Sequence, residues 1–458
     1  MNQTNINLSV NLSQSSGPIK PLHGVNNGPI CYGSMVDVTE YYRELGVPGV
    51  RIHDPNWPHP REVDYYTIFP DFSKDARDPA SYDFRSTDTY IQSIAATGAE
   101  IVYRLGVSIE HTAVKYHVHP PSDFDKWAVI CEMIIRHYNE GWADGFQYGI
   151  RYWEIWNEPE GYPDTPPDKN AMWSGSHEEF FELYRITSSH LKQAFPDLMI
   201  GGFAYTYVHP VFLRAFLTYV RDHKLPMDFF SWHTYTAKPE VLASRAQEIR
   251  TLLDDMDLQS TETQLNEWNY APPASESVIE TSKQIKTQQQ FERMKNEEGA
   301  SFDAAVLSLM QDAPVDGMYF YDAAPSSWWS FFNTYGVPQK AYYAFKAFKY
   351  LVDLGHRVPV LEQDKADPTA IYHLAAVNNK QEEAAVLLAN HSEITKSVAI
   401  QLILPPGRQI GSVNLTWTDR ERTEVSEVLP VESISDGNGI LMDMPPFSVC
   451  LAELMLIP

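Results

Sequence analysis

The chain has 458 residues, 43% hydrophobic and 21% charged, with 35 Lys and Arg against 60 Asp and Glu for a formal net charge of −25. That balance excludes wholesale disorder, and its sign argues against nucleic-acid or anionic-membrane partners, because a polyanion is repelled rather than steered in. The length calls for one large domain plus a smaller one, and the 13% aromatic content suits either ligand stacking or core filling.

The opening MNQTNINLSVNLSQSSGPIK has neither the basic start nor the apolar run of a secretory signal. No apolar run of eighteen residues occurs, and Cys31, Cys131 and Cys450 are scattered. The expectation is a reduced, cytoplasmic protein with no membrane span, disulfide framework or zinc knuckle. Within the opening, NINLSVNLS reads as a strand able to add an edge to a sheet elsewhere, so residues 1–19 are set apart.

From about residue 20 to 355, short β-branched or aromatic runs alternate with helix-period segments. The candidate strands begin at Gly24 (GVNN), Gly49 (GVRIHDP), Glu100 (EIVYRLGV), Arg151 (RYWEIWNEP), Leu198 (LMIGGFAY), Asp228 (DFFSWHTYT), Gln264 (QLNEWNY) and Asp316 (DGMYFYDA). Segments such as FDKWAVICEMIIRHYNEG and HEEFFELYRITSSHLKQAF lie between them. Strands alternating with helices predict parallel βα units, and eight of them predict an α/β fold closed as a (β/α)₈ TIM barrel over residues 20–355. No GxGxxG follows the first strand, so a dinucleotide-binding sheet lacks its phosphate turn. After KAYYAFKAFKYLVDLG the character changes. AAVLLAN, VAIQLIL, SVNLTWT and FSVCLAELML, broken by PPG and DGNG, predict an accessory C-terminal β-sandwich over residues 356–458.

Barrel enzymes carry their catalytic groups at the C-terminal ends of the strands. There this chain places His53 with Asp54, Asn157 with Glu158, His233 with Tyr235, and Glu267, interleaved with Trp153, Trp156, Trp268 and Tyr270. Sixty acidic residues make a pair of carboxylates easy to find. What singles out Glu158 and Glu267 is that each ends a predicted strand, the fourth and the seventh, so both face one mouth. Hydrolysis of an acetal needs two such groups, one protonated to assist the leaving oxygen and one ionised to meet the anomeric carbon.

The run WEIWNEPE resembles the acid/base motif of the retaining glycoside hydrolases of clan A, and TQLNEWNY resembles their nucleophile motif. Together with YDFRSTDTYIQSIAATGAE, SWHTYT and GVPQKAYYAFKAFKYL, they resemble glycoside hydrolase family 39, the family of β-xylosidases and α-L-iduronidases. That resemblance implies Glu158 as general acid/base and Glu267 as nucleophile, with retention through a covalent glycosyl-enzyme. It implies that Asn157 bonds the sugar 2-hydroxyl, that His233 and Tyr235 sit beside the nucleophile, and that His53 contacts the non-reducing sugar. It implies no metal or organic cofactor, a small carbohydrate partner, β-xylosidase-like action on plant-type oligosaccharides or glycosides, and a possible homo-oligomer. Another clan A activity (β-galactosidase, arabinosidase, α-L-iduronidase) or a non-catalytic carbohydrate-binding barrel are the alternatives.

Weaker candidates complete the reading. Trp328 and Trp329 offer an aromatic floor, Trp328 being preferred. Arg51 and Asp54 are placed as sugar-hydroxyl ligands, with a structural ion pair as the competing account. HTAVKYHVH, with His111, His117 and His119, is read as a polar loop rather than a metal cluster, and Glu110 as solvated surface. The long loop from Pro55 to about Ala80, with Trp57, Tyr65, Tyr66 and Phe69, is expected to cap the pocket and make the enzyme exo-acting.

Overall fold

The computed structural model describes residues 5–55, 61–110, 112–161, 166, 169–272, 283–325, 329–362, 371–430 and 439–458. Eight strands close a barrel: β1 (Gly24–Asn26), β2 (Gly49–Ile52), β3 (Glu100–Leu105), β4 (Tyr152–Ile155), β5 (Met199–Gly201), β6 (Phe229–Thr236), β7 (Glu262–Tyr270) and β8 (Gly317–Phe320). All neighbours are parallel and follow chain order, with β8 pairing β1 to complete the ring. These are the eight segments the alternating pattern marked out.

Local sequence signals set the helix ends. Ser176 and Glu179 form a capping box at the start of His177–Ala194. Asp123 caps Phe124–Glu140, which ends at Gly141 with φ 77°.

Side chains fill the barrel in layers. Val102, Tyr152, Phe229 and Tyr319 make an apolar floor. Gly24 and Gly49 leave room for the Tyr319 ring, since a Cβ on either would stand 3.0 and 3.1 Å from it. Above lies a polar layer of Asn26, Arg51, Glu154, Ser231 and Asn266, all fully buried. Burying charge is tolerable only where the charges are paired and bonded, which these are.

Strand Asn5–Asn11 lies between Val360–Glu362 and Lys396–Ile403 in a four-stranded sheet completed by Gly439–Met444. A seven-stranded sheet faces it, running from Val425–Leu429 through Gln409–Thr418, Ser448–Ile457, Glu383–Asn390, Tyr372–Val377 and His356–Arg357 to Gly17–Pro18. Leu8, Val10, Ile400 and Leu402 meet Val386, Leu388, Leu415 and Leu454 between the two sheets. The opposite face of the larger sheet, with Leu374, Ala376, Leu387 and Leu451, joins the barrel core. Helix Glu297–Leu309 is therefore covered on both sides, which explains why Gly299 through Ser308 are all buried. No helix among the described residues is long and apolar enough to cross a membrane.

Candidate active site

β4 ends at Ile155, and the chain then leaves the strand through left-handed backbone at Trp156 (φ 69°) and Glu158 (φ 47°). Non-glycine residues stay there only where the surroundings over-determine them. Here the Trp156 N–H bonds Leu105 O at 2.7 Å and the Glu158 N–H bonds Phe203 O at 3.1 Å. The Trp156 ring is wedged against Trp127 and Trp173. Gly106, at φ 147°, lets this segment approach; a Cβ there would meet Trp156 Cα at 3.2 Å.

A bulge prepares the second acid. In the β6–β7 pairing Trp232 stands opposite Leu265, and then His233 stands opposite Glu267, leaving Asn266 as the extra residue. Two consecutive side chains therefore turn inward. Asn266 Nδ2 donates to Glu154 Oε1 at 2.5 Å, and Glu267 Oε1 accepts from Arg51 Nη1 at 2.8 Å.

Glu158, His233 and Glu267 converge, one polar atom of each lying within 4.8 Å of the others. His233 Nδ1 is 2.6 Å from Glu158 Oε1 and 3.4 Å from Glu267 Oε2. Burial lowers the imidazole to about 4, and burial raises Glu158 to about 7. With His233 neutral, the 2.6 Å contact carries a single hydrogen near neutral pH. The Tyr235 hydroxyl donates to Glu267 Oε2 at 2.6 Å, so each oxygen of Glu267 has its own donor. The trio contains metal-ligating atom types, but its spacing is that of hydrogen bonds. Ligands each about 2.0–2.2 Å from one zinc ion stand further apart than 2.6 Å.

Arg51, placed from the sequence as a sugar ligand, is instead a buried clamp. It donates Nε to Glu154 (2.8 Å), Nη1 to Asn26 (3.1 Å) and Glu267 (2.8 Å), and Nη2 to Asn157 (2.6 Å). Its side chain is fully buried, and the two carboxylates hold its pKa above the ordinary guanidinium value against the opposing effect of burial. Because Arg51 takes the Asn157 oxygen, the amide NH₂ is left as the donor for a ligand. Glu154 is the clamp's counter-ion, also accepting from Ser231 Oγ at 2.6 Å. Glu160 is buried against Thr206, and its pKa rises to about 8 chiefly through burial.

The opposite wall holds His53 and Asp54 after β2 and Asp322 after β8. Asp54 sits at φ 51° with Oδ1 accepting from the Ile109 N–H at 2.9 Å. Its Oδ2 is 3.4 Å from His53 Nε2. Burial pushes Asp54 to about 7 against the pull of Arg104, and His53 falls well below its ordinary value, first through burial and then through Arg104 and Arg51. Asp322 accepts from Asn27 Nδ2 at 3.2 Å and is likewise pushed to about 7 by burial, while its Oδ1 is buried without a partner. Asp322 was missed, although an acid ending the eighth predicted strand is the same signal that picked out Glu158 and Glu267. Asn27, Asp64 and Arg104 gave no comparable signal.

Trp328 lies outside the described residues. Trp329 packs beside Tyr235 with ring centroids 5.5 Å apart, next to Tyr321. Trp153, Trp156, Trp232 and Trp268, by contrast, are fully buried core. The aromatics flanking the two acids thus fix the strands rather than hold a ligand.

Of the loop after β2, residues 61–80 are described and Trp57 lies outside them; its first part lies on the segment leaving β3, where Arg61 pairs with Glu110 and the Tyr65 N–H bonds Gly106 O. Tyr65 meets the buried Trp127, and further along Arg77 pairs with Glu132 while Lys126 bonds Lys74 O and lies over Phe72, so residues 72–77 run along helix Phe124–Glu140. The expected cap is thus not formed by Phe72 to Arg77, which lie along that helix. Glu110 is buried, not solvated, and accepts from the N–H groups of Tyr116 and His117. His117 stacks on Tyr66 and His119 bonds Ser174, while His111 lies outside the described residues.

The sequence profile of "Glycosyl hydrolases family 39" matches residues 37–266, half of the chain. The chain belongs to this family. Among curated family relatives, the β-xylosidase of Geobacillus stearothermophilus is 28% identical over 159 residues, 34% of this chain and 28% of that protein. The β-xylosidase of Caldicellulosiruptor saccharolyticus is 23% identical over 356 residues, 68% of this chain and 64% of its own. The chain thus spans less than two thirds of either relative. A crystal structure of a glucosidase from Croceicoccus marinus shares the fold over the full length of both chains (TM-score 0.79, 22% identity). So does an α-L-arabinofuranosidase from Thermotoga maritima, over 98% of this chain and all of its own (TM-score 0.65, 14% identity).

Proposed function

We propose that this family 39 protein is a retaining glycosidase, with Glu158 as general acid/base and Glu267 as nucleophile. The observation that carries the reading is the approach of the two carboxyl groups across His233, with an oxygen of each within 4.8 Å. Retaining enzymes hold their carboxyl groups about 5–5.5 Å apart, whereas inverting ones need about 6.5–9.5 Å to admit a water. Glu158, kept protonated to about pH 7, gives its proton to the leaving oxygen while Glu267, aimed by Arg51 and Tyr235, bonds the anomeric carbon. Glu158 then takes a proton from the water that releases the sugar. Asn157 Nδ2, freed by Arg51, meets the 2-hydroxyl; His53, Asp54 and Asp322 face the remaining hydroxyls, and Trp329 flanks the ring.

The two β-xylosidase relatives make a xyloside the first substrate and exo-action the first mode to test. A neutral glycone is favoured over a uronate on electrostatic grounds. Arg51 is fully engaged by its four partners, Lys238 is exposed at the start of helix Pro239–Asp255, and Glu158, Asp54 and Asp322 add carboxyl groups to the cleft. Glu267→Ala should abolish hydrolysis of nitrophenyl xyloside, and azide should restore turnover as the inverted glycosyl azide. Full activity in that variant would refute the assignment, and release of disaccharides instead of single sugars from xylo-oligosaccharides would refute exo-action.

A further inference from the structure

The loop after β2 sends one carboxylate into the interior. Asp64 is completely buried. Its Oδ1 accepts from Arg104 Nη2 at 2.9 Å and from Ser108 Oγ at 2.8 Å. Its Oδ2 accepts from the Ser108 N–H and the Tyr66 hydroxyl, both at 2.9 Å. Beside it the Tyr65 N–H bonds Gly106 O at 3.1 Å. The segment leaving β3 is thus moored to this one side chain. The next residue along, Ile109, gives its N–H to Asp54 Oδ1 at 2.9 Å. Asp54 holds left-handed backbone and stands against His53, whose own N–H bonds Asn27 Oδ1 at 3.1 Å.

We infer that Asp64 is a positioning residue for the sugar-binding wall: by fixing Ser108 it sets where the Ile109 amide stands, and so orients Asp54 and His53 toward the glycone. Two observations make the link mechanical rather than incidental. Asp64 bonds both the backbone and the side chain of Ser108, which fixes that residue in position and rotation together. Asp54 in turn accepts from the Ile109 N–H with one carboxyl oxygen and holds the other 3.4 Å from His53 Nε2, so one side chain joins the moored segment to the binding wall. Ionic bonding to a buried guanidinium supplies the stiffness, since a charge-assisted bond is stronger than a neutral one. The long loop is then a buttress driven inward behind the binding wall. This inference rests on the glycosidase reading above.

The test is a double-mutant cycle on aryl-glycoside turnover with Asp64→Asn, Asp54→Ala and the combination, each normalised to active sites by a covalent titrant. An amide at position 64 can accept with one atom only, so it loses a Ser108 or Arg104 bond. A displacement of about 1 Å at a binding group is worth up to about a hundredfold. The expected outcome is a roughly tenfold to hundredfold lower kcat/KM for Asp64→Asn, mostly in KM. The same change should have less than about a twofold effect once Asp54 is alanine. Additive losses, or a lower melting temperature with KM unchanged, would overturn the inference. Should Asp64→Asn fail to fold, Ser108→Ala in the same cycle decides, with coupling to Asp54→Ala expected and additivity refuting. If the wild type turns over no glycoside at all, it is the glycosidase reading that has failed; wild-type turnover with an additive cycle rejects only the role of Asp64.

Discussion

Replacing Glu158 by glutamine isolates what the cleft charges for keeping an acid in its protonated form. Burial lifts this carboxyl from 4.5 to about 7, which corresponds to about 3 kcal/mol at roughly 1.4 kcal/mol per decade. Because 22% of the side chain still meets solvent, about 2 kcal/mol is the better figure. An acid with a raised pKa favours the native state in its protonated form. Its contribution is therefore complete below 4.5, and it is lost as pH rises from there through about 7. Glutamine never ionises, so urea unfolding of the wild type and Glu158→Gln should coincide near about pH 3.5, and the variant should gain about 2 kcal/mol near about pH 8.5. Asp54, Asp322 and Glu160 are raised in both proteins and largely cancel in the difference. Wild-type activity should fall along a basic limb near 7, the value at which the proton is lost. A stability difference independent of pH, or larger at the acid end, would refute the argument.

Other expectations follow from the same geometry. Arg51→Met strands Glu154 and Glu267 as unpaired buried carboxylates, so a loss of about 3–5 kcal/mol in urea unfolding is expected together with near-complete loss of turnover. Tyr235→Phe removes one of the two donors that aim Glu267 and should lower kcat about tenfold to a hundredfold without shifting the melting temperature appreciably. Trp329→Ala should raise KM several-fold with kcat little changed, because the ring lies beside Tyr235 rather than in the core; unaltered KM would place the ring away from the sugar. Wild-type stability itself should decline from about pH 4 to about pH 8, because the unfolded chain gives up the protons of Asp54, Asp322, Glu158 and Glu160 at their ordinary values while the native state holds them until about 7 to 8.

Much of the molecule was legible because it depends on local pattern. Eight β-branched and aromatic runs separated by helix-period segments permit few arrangements other than a closed parallel barrel, and the two glutamates announced themselves by ending predicted strands. Where the sequence misled, the cause was range. Arg51 reads as a cation near a pocket until its partners are known, and those partners, Asn26, Glu154, Asn157 and Glu267, come from three other segments of the chain. The tryptophans around the acids looked like a sugar platform because sequence shows adjacency but not which face of a strand a ring takes. A period of two sends alternate residues outward, and most of these rings went into the layer between strands and helices.

The sequence by itself determined the barrel, the family and the placing of Glu158 and Glu267 at strand ends, since each is encoded in a short run of neighbours. Only the tertiary structure decided how those acids are held. The bulge at Asn266 breaks the alternation of β7 so that Asn266 and Glu267 both face inward, and no local pattern foretells a register shift that depends on pairing with β6. The same holds for the left-handed backbone at Glu158 and Asp54 and for the Asp64 buttress. Each is a costly arrangement kept in place by distant hydrogen bonds, and distance along the chain is what a reading of residues in order cannot collapse.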